Sequence, residues 1–393
     1  MGALSDIKVL DFSTLVPGPM ATMFLADMGA DVVNIVAPGR HDMMNDFAPT
    51  ITDLDISACS AWLGRNKRSM ALDLKKHEAV EVIRKMIDEY DIVVEQFRPG
   101  TMKKMGLDYE TLKKINPKMI YVSLTGYGQY GPLAMCPGHD INYLAVSGNL
   151  IELGNDNATP GMPDFQVPDI AGGTYMSLIA ILSALHYRDV TGKGQYLDVS
   201  IFDAMFPFCN IEGTAVLASK KYEGWNGKMI SGLYLGPQYG FFKTKDRKYI
   251  ALGALEPKFF KELCRGLGLD EWSNGEILYQ RPEYVEKTLA EKFSAKTRDE
   301  WIEYFEDYDT CISPVLSMEE SFEHEHVRVR DLVPEVPLSL CPEKTVQQLG
   351  LPIKMSETPA EYKHTAYPPG YHTLEILEEL GYSEEDIKDL CKK

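Results

Sequence analysis

His139 and Asp140 are neighbours in GHDINYLAVSG, just ahead of an apolar helical run, and Asp169 stands in FQVPDIAGGTYMS, at the head of an uncharged stretch at 170–187. An imidazole and a carboxyl differ enough in proton affinity to act as base and acid in one reaction. Each residue also has a plainer reading. Asp169 by itself reads first as the N-cap of the uncharged helix, and His139 by itself is equally a core histidine. A carboxyl at a helix N-terminus is nevertheless well placed for proton transfer, because the backbone N–H groups following Asp169 can hold a developing oxyanion. Glu256, in GALEPKFF, precedes Pro257 at a strand-to-helix junction, and as a lone acid it carries no argument.

The basic residues come in short groups rather than one stripe. Arg40 follows the second strand in VAPGR, Arg65, Lys67 and Arg68 form RNKR before the third, and Arg98 follows the fourth in EQFRPG with Lys103 and Lys104 close behind. In an open α/β sheet, ligands gather outside the carboxyl ends of the strands, where Arg40 and Arg98 fall. A polyphosphate group is their natural partner, and solvated loop charge is the alternative. Gly126, Gly128 and Gly131 in TGYGQYG match G-x-G-x-x-G, yet Pro132 and Pro137 stop a helix from opening there, so a dinucleotide fold motif is not supported. The glycines read instead as a turn of close backbone approach. G-x-S-x-G and the P-loop pattern are absent, which removes serine-hydrolase and P-loop readings.

The elements that must position these groups alternate between strand-like and helical runs. IKVLDF, PMATMFLADMGA and DVVNIVAP open as a βαβ unit, with Pro19 and Gly29 punctuating the helix. SMALDL, KKHEAVEVIRKMIDEY, DIVVEQF, YETLKKIN and MIYVSLTGYG continue the pattern of a doubly wound parallel sheet. The uncharged stretch at 170–187 reaches the lower length limit for a membrane span, but it holds glycines, serines and His186 and lacks flanking span signals; it reads as a buried core helix. FFKTKDRKYIALGAL reads as a hairpin, followed by helices in FFKELCRGLGL, VEKTLAEKFSA and RDEWIEYFE. The expected organisation is a large domain from 1–214 and 331–393, a linker at 215–239, and a small α+β domain at 240–330. Across 393 residues Lys plus Arg total 40 against 58 for Asp plus Glu, a formal charge of −18, which argues against nucleic-acid binding. Seven cysteines without a CxxC pair indicate neither disulfides nor a metal site, and with no signal peptide the expected compartment is the reducing cytoplasm. The 18 methionines suit an adaptable apolar surface, with Met135, Met162, Met205 and Met229 as candidates and core packing as the plainer account.

Taken together, KVLDFSTLVPGPMATMFLADMGADVV, RNKRSMALDLK, EQFRPGTMKKMGL, NPKMIYVSLTGYGQYGP and the C-terminal GYHTLEILEELGYSEEDI resemble the family III CoA-transferase and α-methylacyl-CoA racemase superfamily (CaiB/BaiF type). The resemblance covers nearly the whole chain. It implies a Rossmann-like large domain built from both chain ends, a small α+β domain, an interlocked homodimer, and an acyl-CoA thioester as substrate with no further cofactor. GHDINY and GALEPKFF are similar to the racemase branch, whose catalytic His, Asp and supporting Glu fall onto His139, Asp169 and Glu256. Asp140 would then raise the proton affinity of Asp169, and Glu256 would orient His139. Transferases use the acid at 169 as a covalent nucleophile, typically differ at 139, and commonly carry a glycine-run loop where this chain has LYLGPQYG. By resemblance and charge together, Arg40, Lys67, Arg68, Arg98 and Lys104 would hold the CoA phosphates.

Overall fold

The structure is a computed structural model and describes residues 2–152, 161, 163–222 and 236–391. Residues of a strand alternate between its two faces, so a strand covered on both sides reads as a continuous apolar run. Six such strands form the main sheet: β1 (Lys8–Asp11), β2 (Asp31–Val36), β3 (Arg68–Ala71), β4 (Ile92–Glu95), β5 (Ile120–Thr125) and β6 (Tyr196–Ser200). All pairings are parallel, in the order β3-β2-β1-β4-β5-β6. Val9, Val32, Ile92, Val94 and Val122 face one core, with helix Pro17–Asp27 and with Ile181 and Leu185. Leu10, Val33, Val93 and Tyr121 face the other, with helix His77–Met86 and with Ile376 and Leu377.

The chain divides into two compact units, Met1–Cys209 with Arg330–Lys393, and Asn210–Val329. The C-terminal segment is tied into the first unit. Buried Arg65 donates to Asp27 and to the carbonyl of Leu349, and Asn66 donates to the carbonyl of Glu361. Along edge strand β3, the outward N–H of Ser69 donates to His372 Nδ1 at 3.1 Å and that of Ala71 to Thr373 Oγ1 at 2.9 Å.

The second unit has an antiparallel sheet in which Tyr249–Gly253 lies between Tyr239–Lys243 and Ile312–Pro314. Helices Pro257–Leu267, Pro282–Phe293 and Arg298–Tyr304 complete its core around Ile250, Leu263, Phe293 and Trp301.

Two expectations need correction. The boundary expected after residue 214 falls inside helix Asn210–Ser219, all of which belongs to the second unit; residues 223–235, including Met229 and the start of LYLGPQYG, lie outside the described residues, as does Met162. The uncharged stretch is not a buried core helix either. It winds as a π-helix over Pro168–Tyr175 and an α-helix over Met176–Thr191. Only one side packs on the sheet, through Ser177, Ile181, Ala184 and Leu185, while Met176, Ile179, Leu182 and Tyr187 are exposed. The helix Pro168–Thr191 is long and apolar enough to cross a membrane.

Candidate active site

The strand order reverses between β1 and β4, so the segments leaving their carboxyl ends diverge and open a crevice. A cleft of about 490 Å³ occupies this point. Leu15 and Pro17 reach it from the turn after β1, Gln96 and Arg98 from the turn after β4, and Thr125 and Gly126 from the end of β5. His139, Tyr143 and Asp169 close it, so the two residues singled out for proton chemistry line one cavity. Leu15 has φ 64°, a left-handed conformation costly for a branched side chain and typical of strained sites. Leu15 and Arg40 also line an adjoining recess of about 150 Å³, which takes in Ser13, Lys67 and Tyr367.

His139 caps helix Asp140–Ser147 with extended backbone, and its N–H donates to Asn142 Oδ1 at 2.9 Å. The preceding carbonyl, of Gly138, accepts the Tyr143 hydroxyl at 2.7 Å. The Tyr143 ring leaves no room for side chains at two glycines: a Cβ on Gly126 would come within 2.6 Å of a ring carbon, and one on Gly138 within 2.8 Å. Gly128 and Gly131 have φ of 78° and 99°, so TGYGQYG is a loop of tight turns, as its prolines indicated.

Asp140 Oδ1 accepts the backbone N–H of Asp169 at 3.0 Å, which brings the two acids together. Burial, and after it the charge of Asp140, pushes the Asp169 carboxyl up to about 7. Burial also raises Asp140, against the pull of the N–H it accepts. Of the N–H groups following Asp169 expected to hold an oxyanion, that of Ile170 is engaged by the carbonyl of Gln166 at 3.1 Å, and the N–H of Asp169 itself is held by Asp140. The N–H groups of Asp140 and Ile141, in the first turn of helix Asp140–Ser147 beside cleft-lining His139, find no acceptor among the described residues.

The basic residues separate into distinct environments. Arg40 and Arg98 line the cleft, and neither side chain meets a carboxylate among the described residues. Lys67 is corrected as a phosphate ligand. It is 4% exposed, its ammonium donates to Thr22 Oγ1 at 2.7 Å, to the carbonyl of Pro19 at 2.8 Å and to Asp11 Oδ2 at 3.1 Å, and burial lowers its pKa. With its three donors taken, Lys67 holds the β1 turn. Arg68 is likewise committed, to Asp31 and Glu379 at 2.8 Å each. Lys104 is exposed at the end of the short helix Thr101–Met105 and does not line the cleft. Glu256 belongs to the second unit, exposed at the N-cap of helix Pro257–Leu267. Met205 is fully buried and Met135 exposed.

An open parallel sheet, a crevice at its strand reversal, two arginines without a carboxylate partner among the described residues and a carboxyl of raised proton affinity thus meet at one point, the arrangement of an α/β enzyme's ligand site. The sequence signature of CoA-transferase family III matches residues 4–373, and the chain belongs to that family. It is 37% identical to the alpha-methylacyl-CoA racemase of Homo sapiens, over 99% of this chain and 96% of that protein. It is 31% identical to the succinyl-CoA:glutarate CoA-transferase of Homo sapiens, over 98% of this chain and 88% of that one. A crystal structure of a CAIB/BAIF family protein from Brucella suis superposes with a TM-score of 0.81 at 27% identity, covering 96% of this chain and 99% of that chain.

Proposed function

We propose that this enzyme inverts the α-carbon of 2-methylacyl-CoA thioesters by removing a proton from one face and returning one to the other. The observation that carries the reading is Asp169, whose carboxyl, pushed up to about 7, is populated in both protonation states near neutrality. With Asp169 protonated, the imidazole of His139 takes the α-proton, the thioester becomes an enolate, and Asp169 delivers its proton to the opposite face. For the other enantiomer the roles exchange. The open N–H groups of Asp140 and Ile141 supply the oxyanion donors. Arg40 and Arg98 take the CoA phosphates. Glu256 keeps in this reading only the supporting role that its place in GALEPKFF implies by resemblance. The thioester carbonyl itself acidifies the α C–H, so the reaction as drawn uses no resident metal or cofactor.

The strand order supports a Rossmann-like large domain, and the uncovered face of helix Pro168–Thr191 supports an interlocked homodimer in which the partner covers it. The unpaired cysteines among the described residues suit a cytoplasmic setting. A second reading has Asp169 as the nucleophile of a CoA-transferase, which the 31% identical relative supports and His139 disfavours. Incubating a single-enantiomer 2-methylacyl-CoA in D2O separates the two. Deuterium at the α-carbon with loss of optical purity is expected, the loss of optical purity being abolished in His139→Ala. Substrate returned undeuterated and optically pure, with CoA passed to an added acid, establishes the transferase.

A further inference from the structure

Glu95 takes no part in the proton transfer, yet it is a buried acid on the strand that borders the crevice. It ends β4, is 4% exposed, and immediately precedes the cleft-lining turn of Gln96 and Arg98. Burial pushes its carboxyl up to about 7. An acid held at that cost in the last position of an otherwise apolar strand calls for a local task. The geometry supplies one. Glu95 Oε2 accepts the backbone N–H of Phe97 at 2.8 Å, closing a tight loop over Gln96, and the Ser123 hydroxyl on neighbouring β5 donates to the same carboxyl. Tyr121, Tyr196 and Asp198 are the other titratable groups that act on it. The carboxyl thus ties the backbone turn after β4 to β5, and Arg98 is the next residue beyond the tied N–H. Among the described residues no carboxylate holds Arg98, so its aim into the cleft is set by its backbone.

We infer that Glu95 is a positioning residue that fixes the 96–98 turn so that the Arg98 guanidinium meets a phosphate of the bound CoA. The inference rests on the CoA reading of the cleft. It differs from a packing role in one respect: loss of Glu95 must weaken binding only of ligands that carry phosphate.

Equilibrium binding of CoA and of pantetheine to the full chain, by titration calorimetry, tests it. Glu95→Ala, which leaves the Phe97 N–H without its acceptor, is expected to weaken CoA about tenfold and to leave pantetheine unchanged. Glu95→Gln keeps an acceptor oxygen in place and is expected to restore CoA affinity to within about twofold of the wild type. If Glu95→Ala proves unfolded by circular dichroism, Glu95→Asp, which withdraws the carboxylate by one methylene, carries the same expectation. Combined with Arg98→Ala, either variant should add nothing further to the loss of CoA affinity. Equal loss for CoA and pantetheine, or additivity with Arg98→Ala, overturns the inference. Wild-type CoA affinity that the Glu95 variants leave intact overturns it alone, whereas a wild-type chain without affinity for CoA overturns the CoA reading and this inference together.

Discussion

Replacing Asp140 by Asn removes a charge while preserving a carbonyl oxygen for the N–H of Asp169. Two unit charges about 4 Å apart interact by about 4 kcal/mol at an effective dielectric of 20, which is an upper bound for this pair. Asp140 is half-buried, and water reaching it cuts the interaction to a fraction of that, on the order of 1.4 kcal/mol or one pKa unit. Burial, the larger cause of the rise in Asp169, stays. On the proposed mechanism the competent enzyme carries a single proton between its two acid/base groups, so kcat/KM should be bell-shaped with pH. Removing a neighbouring negative charge makes that proton easier to lose, so the alkaline limb moves to lower pH by about one unit. On that limb, at a pH where the wild type already declines, the variant should be slower by up to about tenfold, while on the acid side it keeps its activity to lower pH. Initial rates of epimerisation from each enantiomer, followed by chiral chromatography between pH 5 and 9, measure this. A bell that stays in place, or moves alkaline, refutes the electrostatic coupling of Asp140 to Asp169.

Asp169 is also held against stability. Its folded pKa of about 7 lies above the ordinary 3.8, so the folded chain binds the extra proton and loses stability as pH rises between those values. Asp169→Asn should therefore raise the unfolding free energy at pH 8 by about 1–2 kcal/mol, within a ceiling of about 4, and change little at pH 3.5, by denaturant titration at both pH values. Arg40→Ala should raise KM for acyl-CoA about 10-fold or more with kcat kept, whereas Lys67→Met should destabilise the fold by about 3–5 kcal/mol by stranding buried Asp11. Equal stability of Lys67→Met and wild type in denaturant melts would remove Lys67 from its assigned role. Ile179→Glu, on the uncovered helix face, should convert a dimer to monomer in light scattering; a mass unchanged from the wild type refutes the proposed interface.

The alternating elements were readable because parallel strands leave apolar runs such as DVVNIV and IYVSLT and because Pro17, Pro19 and Gly29 bracket the first helix. The convergence of His139 and Asp169 was readable through motif resemblance, since the contact between Asp140 and Asp169 spans 29 positions. Side-chain commitments were not readable. Lys67 looks like any loop lysine until Asp11, 56 positions earlier, is seen against it. The π-helical start of Pro168–Tyr175 carries no local sign, so the engaged N–H of Ile170 passed for an oxyanion donor. Glu95 did leave a signal, an acid closing the apolar run DIVVE, and Tyr143 left another in its company of glycines. The one-sided burial of helix Pro168–Thr191 could not be read either, because a helix apolar all round gives its period no contrast.

The outward N–H groups of β3 are satisfied by His372 and Thr373, some 300 positions later in the chain. During synthesis every strand of the main sheet leaves the ribosome before its own edge cover exists. A nascent chain that has reached residue 329 carries an open parallel edge, the template on which strands of other chains can add. Completion of the main sheet therefore depends on how quickly residues 330–393 follow the second unit, and a stop codon placed after Val329 should yield aggregates rather than a soluble truncated sheet.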